Sequence, residues 1–282
     1  MKKTLILAAN WGAYFYPLAN NARTRIMPPN VLNTSPGFLE QFDKIILMNG
    51  IGQRWLFHPR WTKTPRLNSY FFLWDPARCP YYAPKPEVLS GIKQLHKCYS
   101  FQQEDCQDFG LQFNSTMYVP TKLSELQPCY DLLFLGMAKD RLALLRRLHA
   151  KFGHLGLKLH FRIAITGDKT TKEEKLPGWL MTPEWLAYND YLSLVAQSRC
   201  LLDLYQTMQT GFSLRVMEHI YYHKKLLTNN RVIKQAAFYH PNNIFVLHED
   251  KNIVDWLALP FVPIDDTIKQ YYSFDAWIGR FE

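Results

Sequence analysis

Asp131-Leu132-Leu133-Phe134-Leu135-Gly136 is an apolar run that ends in a glycine, and it predicts a β-strand followed by a tight turn. The stretch that comes next, from Asp140 to Phe152, places leucines at helical spacing and predicts an amphipathic surface helix. A strand, a glycine turn and a helix in this order are typical of proteins that pack helices against a parallel sheet.

Further strand-length and helical patterns lie on both sides of this stretch. They predict strands at Thr4–Ala9, Lys44–Asn49, Tyr70–Trp74, Leu159–Ile165, Cys200–Leu204 and Lys225–Thr228, and helices at Tyr188–Gln197 and Leu214–His223. Prolines and polar residues between Tyr118 and Tyr130 predict a boundary near residue 127. The expected fold is therefore α/β with two Rossmann-like lobes, residues 1–127 and 128–282, and a cleft between them.

Composition limits the kinds of protein to consider. The chain has 282 residues, 48% of them hydrophobic, which is enough for two folded lobes and excludes general disorder. The formal net charge of +9 favours anionic partners. No apolar run approaches the roughly 20 residues that span a bilayer. Five cysteines without a CxxC pair predict neither a disulfide framework nor a structural zinc site, and reduced thiols indicate a cytoplasmic protein.

The segment from Gln206 to Glu218 joins a predicted strand to a predicted helix and is a candidate phosphate and ribose site. A glycine allows close backbone approach, the helix N-terminus presents free N–H groups, and an arginine supplies charge. The candidate binding residues here are Gln209, Gly211, Phe212, Ser213, Leu214, Arg215 and Glu218. The alternative is a plain glycine turn, followed by a helix on which Arg215 and Glu218 pair with each other.

This segment resembles the glycosyltransferases of the two-Rossmann-lobe type called GT-B, in which a glycine-containing loop precedes a helix that carries a ribose-binding glutamate. The matching residues are Gly211, Phe212 and Glu218. Phe134 to Arg141 is similar to the loop that opens the donor lobe of that fold. The resemblance implies that Gly136, Lys139 and Arg141 also contact the donor.

Several longer phrases are similar to a bacterial family of lipopolysaccharide or capsule glycosyltransferase-like proteins over roughly residues 40 to 260. They are Phe71 to Pro76, Tyr99-Ser100-Phe101 with Asp105, Tyr130 to Gly136, Ser198 to Asp203, and Lys224 to Asn230. The resemblance implies a hexosyltransferase that moves a sugar from a nucleotide-sugar donor to a glycan or lipid-linked glycan acceptor. It implies no cofactor. The large apolar residues within Tyr271 to Glu282 separately predict a C-terminal helix that packs back across the lobes.

The chain departs from the GT-B pattern at one position. Retaining enzymes of that fold often carry a second glutamate eight positions before the ribose glutamate, where this chain has Thr210, so the stereochemistry of transfer stays open. For an inverting reaction, Asp75 and Asp105 are the candidate general bases. Turn formation before Pro76 and helix capping are the alternative interpretations of these two residues. Asn10, Trp11 and Gly12 follow the first strand, and are candidates for contact with an acceptor sugar.

Metal binding is not expected. His219 and His223 share one helical face without a completing carboxylate set, and Asp203 lacks a second aspartate two positions on. The basic charge suggests attachment to anionic lipid at the inner face of the cytoplasmic membrane, for example through Lys63 to Arg66. Three alternatives remain: a sugar-nucleotide epimerase or hydrolase, a non-catalytic glycan- or nucleotide-binding homologue, and a nucleic-acid-binding module. The last is disfavoured, since no nucleic-acid motif is present.

Overall fold

A computed structural model describes residues 3–9, 21–34, 36–63, 68–79, 83–164, 186–249 and 252–282. Residue contacts divide the chain into two compact units. The first comprises Met1–Val119, Met208–Phe212 and Gln270–Glu282, and the second comprises Pro120–Thr207 and Ser213–Lys269. Each unit is built on one parallel sheet, which confirms the predicted α/β class.

The first unit contains a six-stranded parallel sheet in the order β2-β1-β3-β4-β5-β6. Its strands are β1 (Thr4–Leu7), β2 (Thr24–Met27), β3 (Lys44–Met48), β4 (Ser69–Leu73), β5 (Lys97–Ser100) and β6 (Gln112–Phe113). The helices are α1 (Pro36–Leu39), α2 (Gln53–Leu56), α3 (Arg60–Lys63), α4 (Pro86–Leu95) and α5 (Gln103–Phe109), with a 3-10 helix at Pro29–Asn33. The central strands are apolar and buried, as expected of strands covered on both faces.

The C-terminal residues belong to this first unit, whereas the sequence places them in the second lobe. The last two helices are α10 (Asp266–Tyr271), of which only Gln270 and Tyr271 belong to the first unit, and α11 (Phe274–Gly279). The Trp277 ring lies edge-on to Phe72 with centroids 5.1 Å apart, and Phe281 packs on Tyr99 at 4.7 Å. Because Trp277 is fully buried in these contacts, the C-terminal aromatic residues form part of the first unit's core.

The second unit contains a five-stranded parallel sheet in the order β11-β10-β9-β7-β8. Its strands are β7 (Tyr130–Met137), β8 (Leu159–Ala164), β9 (Ser198–Asp203), β10 (Lys225–Thr228) and β11 (Ile244–Val246). The helices are α6 (Leu142–His154), α7 (Tyr188–Ala196), α8 (Leu214–Tyr222) and α9 (Ile253–Ala258), with 3-10 helices at Lys139–Arg141 and Arg231–Gln235. The predicted bounds of β7, β8 and β9 differ from these by a few residues at most, β10 has the predicted bounds, and β11 was not predicted.

The strand order of the second sheet determines where a ligand fits. β7 lies between β8, which follows it in the chain, and β9, which comes after β8. The connection that leaves β7 runs to β8 on one side and the connection that leaves β9 runs to β10 on the other, an arrangement that forms a crevice at the carboxyl ends of these two strands. Open α/β sheets bind ligands at such a reversal of strand order.

Candidate functional site

The candidate site lies in the second unit, at the carboxyl ends of β7 and β9. β7 ends with Gly136 and Met137, and β9 ends with Asp203. The helix that begins after residue 213 brings Arg215 and Glu218 to the same place, since both residues interact electrostatically with Asp203. This location follows from the parallel sheet, because the carboxyl ends of all its strands point the same way.

Arg215 lies close to the end of β7. Its Nη2 atom is 2.9 Å from the position that a Cβ on Gly136 would occupy, and its guanidinium carbon is 5.3 Å from the centre of the Phe134 ring. Only a residue without a side chain leaves this space open at position 136. Within the described part of the chain, no acceptor takes a hydrogen bond from the Arg215 guanidinium, which is half-buried. Its N–H donors are therefore available to an anion.

Asp203 and Ser213 connect the end of β9 to the start of α8. The Ser213 hydroxyl donates to Asp203 Oδ1 over 2.9 Å and accepts from the Arg215 backbone N–H over 3.1 Å, so Ser213 is the N-cap of α8. Asp203 is 2% exposed, and its Oδ2 atom has no hydrogen-bond partner among the described residues. Burial raises the pKa of the Asp203 carboxyl, while the charge of Arg215 opposes the rise.

Glu218 lies one turn into α8 and is 1% exposed. Its Oε2 atom accepts a hydrogen bond from the Tyr191 hydroxyl of α7. Burial raises the pKa of Glu218 to about 7, against the lowering effects of the Tyr191 hydrogen bond and of Arg215. The sequence places Glu218 at the edge of a cleft as a ribose ligand, but the structure buries it beneath α7.

Arg141 has a different position from the one that the sequence predicts. It is 9% exposed and donates to the main-chain oxygens of Leu204 and Met137. Burial and, to a smaller extent, the neighbouring charge of Arg215 together lower the pKa of Arg141 to about 10. Arg141 therefore ties the turn after β7 to the end of β9, whereas Lys139 is half-buried in the same turn, with a positive φ of 46°.

Three predicted site residues belong to the first unit instead. They are Gln209, Gly211 and Phe212. They lie in the segment Met208–Phe212, which belongs to the first unit by its residue contacts. A Cβ on Gly211 would lie 2.5 Å from a Phe101 ring carbon and 2.6 Å from the Phe101 carbonyl oxygen. The close approach that requires a glycine here is to Phe101, a protein group, so it supplies no evidence for a phosphate.

The backbone N–H groups near Gly211 are also occupied. Gln102 Oε1 accepts from the N–H of Thr210 over 2.8 Å and from that of Gly211 over 3.3 Å. Thr116 donates its hydroxyl proton to the Phe212 carbonyl, and Gln209 donates to the Gly211 carbonyl over 3.3 Å. This loop is therefore held by the protein itself.

The two candidate bases also lie in the first unit. Asp105 is 3% exposed, and its Oδ2 accepts from the Ala77 N–H over 3.0 Å and from the Ser100 hydroxyl over 2.7 Å. Its surroundings indicate a structural role, although not the helix cap that the sequence suggests. Asp75 is half-buried after β4 and accepts from the Asn49 side chain over 3.2 Å.

Of the remaining predicted residues, one lies at the candidate site and three lie outside the described residues. Leu214 is the first residue of α8 and is half-buried, which places it at the candidate site. Asn10, Trp11 and Gly12 lie outside the described residues. Tyr191 was not predicted, because only the packing of α7 against α8 brings its hydroxyl to Glu218. Asp203 had a usable signal in its position at the end of a predicted strand.

The described residues contain no group of three or more His, Cys, Asp or Glu side chains placed to hold a metal ion. His219 is fully buried, and burial lowers the pKa of its imidazole to about 4, so it is neutral at pH 7. No helix among the described residues is both long enough and apolar enough to cross a membrane.

Comparisons with known proteins return no matching family model and no matching curated protein. Some solved structures are similar in outline. An NADPH-dependent glyoxylate/hydroxypyruvate reductase from Sinorhizobium meliloti, in complex with NADP and malonate, matches at 11% identity and a TM-score of 0.23, over 89% of this chain and 82% of that one. Its citrate complex matches at 11% identity and 0.24, over 98% and 90%, and a phosphoglycerate oxidoreductase from Rhizobium etli at 11% and 0.23, over 94% and 98%.

These findings correct the functional expectation from sequence. All three of these structures are of oxidoreductases, one of them crystallised both with NADP and malonate and with citrate, and none of the three is of a glycosyltransferase. The prediction of a glycosyltransferase with a nucleotide-sugar donor, a glycan acceptor and no cofactor is therefore wrong. TM-scores of 0.23 and 0.24 match no individual residue of this chain to a residue of those proteins.

Proposed function

We propose that the second unit binds the phosphate group of a small-molecule ligand at the carboxyl ends of β7 and β9. The observation that carries the proposal is Arg215, whose guanidinium extends over Gly136 and donates to no acceptor among the described residues. A half-buried arginine keeps its charge and offers N–H groups in a planar arrangement that matches phosphate oxygens.

The start of α8 supports the same ligand. The backbone N–H groups of Leu214 and Val216 donate to no described acceptor, whereas the Arg215 N–H is taken by the Ser213 cap. Free N–H groups in the first turn of a helix stabilise a phosphate that approaches along the helix axis. An arginine side chain, a helix N-terminus and a reversal of strand order therefore coincide in one place.

The proposed ligand class includes nicotinamide dinucleotides, of which NADP is bound in one of the compared reductases. The turn after β7, Gly136 to Arg141, has a single glycine and lacks the G-x-G-x-x-G pattern of the usual dinucleotide turn. A phosphate contact in this unit would therefore depend on Arg215 more than on a glycine-rich loop.

Isothermal titration calorimetry with inorganic pyrophosphate, NADP and malonate tests the proposal. We expect the two phosphate compounds to bind, and Arg215→Gln to weaken their binding roughly tenfold to a hundredfold, because a charged hydrogen bond contributes about 1.5–3 kcal/mol. Arg147→Gln is the matched control, since Arg147 is an exposed arginine of α6 in the same unit. It should bind like the wild type.

Gly136→Ala supplies a second variant that retains the arginine. The new methyl group would occupy the place 2.9 Å from Arg215 Nη2, and would displace the flexible end of that side chain. We expect weaker phosphate binding with an unchanged midpoint of thermal unfolding. Equal binding by wild type, Arg215→Gln and Gly136→Ala would exclude the site, and tighter binding of malonate than of pyrophosphate would exclude phosphate as the preferred anion.

A further inference from the structure

Four ionisable side chains at the candidate site form what we call the buried charge cluster: Arg141, Asp203, Arg215 and Glu218. Asp203 comes from the end of β9, Arg141 from the 3-10 helix after β7, and the other two from α8. Arg215 and Glu218 are three residues apart and therefore lie on one face of the helix. With both carboxyls ionised, the two positive and two negative charges balance.

An arriving phosphate disturbs this balance. It pairs with Arg215, whose charge lowers the pKa of both buried carboxyls, and it adds negative charge to a region where Asp203 and Glu218 are almost completely excluded from water. Charges in such a region interact more strongly than in water, because solvent does not screen them. Two buried carboxylates and a bound phosphate together would leave negative charge uncompensated.

We propose that binding of a phosphate at Arg215 is coupled to the uptake of one proton from solvent, and that Glu218 is the carboxyl that receives it. This inference depends on the proposed function. The carboxylate becomes a carboxylic acid, and no other bond forms or breaks. Uptake of one proton offsets one unit of the negative charge that the phosphate adds. The protonation of Glu218 therefore affects how much ligand charge the cluster accepts.

The surroundings of Glu218 favour it over Asp203 as the acceptor of the proton. The titratable and charged groups around Glu218 are Tyr191 of α7, Arg215 of its own helix and Asp203 of β9. Asp203 has three contacts that favour its ionised form, the charges of Arg215 and Arg141 and the hydrogen bond from the Ser213 hydroxyl, and they oppose the rise in its pKa that burial causes. Glu218 has the hydroxyl of Tyr191 and one arginine, and burial raises its pKa to about 7.

Calorimetric titration of the full chain with pyrophosphate, in two pH 7.5 buffers that differ in ionisation enthalpy, measures the protons taken up for each ligand bound. The expected result is net uptake in the wild type, and a loss of that uptake in Glu218→Gln, which still offers an oxygen to the Tyr191 hydroxyl. Glu125→Gln is the matched control, because Glu125 is an 88% exposed residue of the same unit. This substitution should leave the wild-type uptake unchanged, and the ligand's own proton exchange is common to all variants.

Tyr191→Phe is a second variant that keeps the carboxyl. It removes the hydrogen bond that favours ionised Glu218, so Glu218 is protonated in advance and the uptake on binding should move to higher pH. No binding heat in the wild type would overturn the phosphate site itself. Binding with equal proton uptake in wild type and Glu218→Gln would overturn the coupling and leave the site in place.

Discussion

The loop Met208–Phe212 and the start of α8 are adjacent in sequence, yet they differ in how their polar groups are used. In the loop, the N–H groups of Thr210 and Gly211 donate to Gln102, and the Thr210 hydroxyl donates to Glu104. At the start of α8, the Arg215 guanidinium and Asp203 Oδ2 have no hydrogen-bond partner among the described residues. A group that the protein already satisfies gains little from a ligand, whereas an unsatisfied charged group gains much.

Alanine substitutions of Gly211, in the loop, and of Gly136, at the candidate site, test this difference most directly. Gly211→Ala should destabilise the first unit by about 3 kcal/mol, since the added Cβ meets the Phe101 backbone oxygen, which moves only with the chain. Gly136→Ala should change the unfolding free energy by less than about 0.5 kcal/mol, because its Cβ meets the end of a flexible side chain. Urea unfolding of both variants measures the difference. Similar losses would show that the two glycines are not used differently.

Glu218 supplies a pH-dependent effect of similar size. Its pKa is about 7 when folded and 4.5 as a free side chain, so the folded state holds more protons between these values. The free energy of unfolding should therefore fall as pH rises from 4.5 to 7, by an amount on the order of 3 kcal/mol from this group.

Glu218→Gln should remove that contribution. His219, whose pKa is lowered to about 4, adds an opposite slope between pH 4 and 6.5, but it does so equally in both proteins. Urea unfolding of wild type and variant at pH 5 and pH 8 isolates the effect of Glu218. A difference between the two proteins that stays constant with pH would contradict its burial.

Asp105 extends the comparison to the predicted catalytic residues. Asp105→Ala should cost about 2 kcal/mol, because it leaves the buried Ala77 N–H and the Ser100 hydroxyl without an acceptor. Asp108→Ala on the same helix removes an ion pair to Arg78 whose side chains are 39% and 57% exposed, and it should cost less than about 1 kcal/mol. Thermal unfolding ranks the two variants, and an Asp105 variant as stable as the Asp108 variant would refute the structural role.

The smallest expected effect calibrates the glycine comparison. Gly153 lies within α6, and a Cβ there would meet no atom within 4 Å. Gly153→Ala should raise the free energy of unfolding by about 0.5–1 kcal/mol, through the higher helix propensity of alanine. A loss of stability in urea unfolding would mean that substitution of a glycine is costly in this protein even where space is open.

Much of the fold can be predicted from sequence, because local patterns are sufficient for parallel strands. Leu132 to Leu135 is a short apolar run bounded by polar or glycine residues, Lys225 to Thr228 has two leucines at its centre, and both form strands. The candidate site is predicted in part. Gly136, Ser213, Leu214 and Arg215 lie where a strand end and a helix start place them. Gly211 and Asp105 have the residue types of a site, but long-range partners account for both.

By itself, the sequence determined the α/β class, most strand positions and the helix that starts after Ser213, because burial patterns and helix caps act over a few residues. Only the tertiary structure decided that Met208–Phe212 belongs to the first unit, that Glu218 is buried under Tyr191, and that Arg215 is without an acceptor among the described residues. These properties depend on contacts between residues that are far apart in the sequence, and local sequence patterns do not specify such contacts.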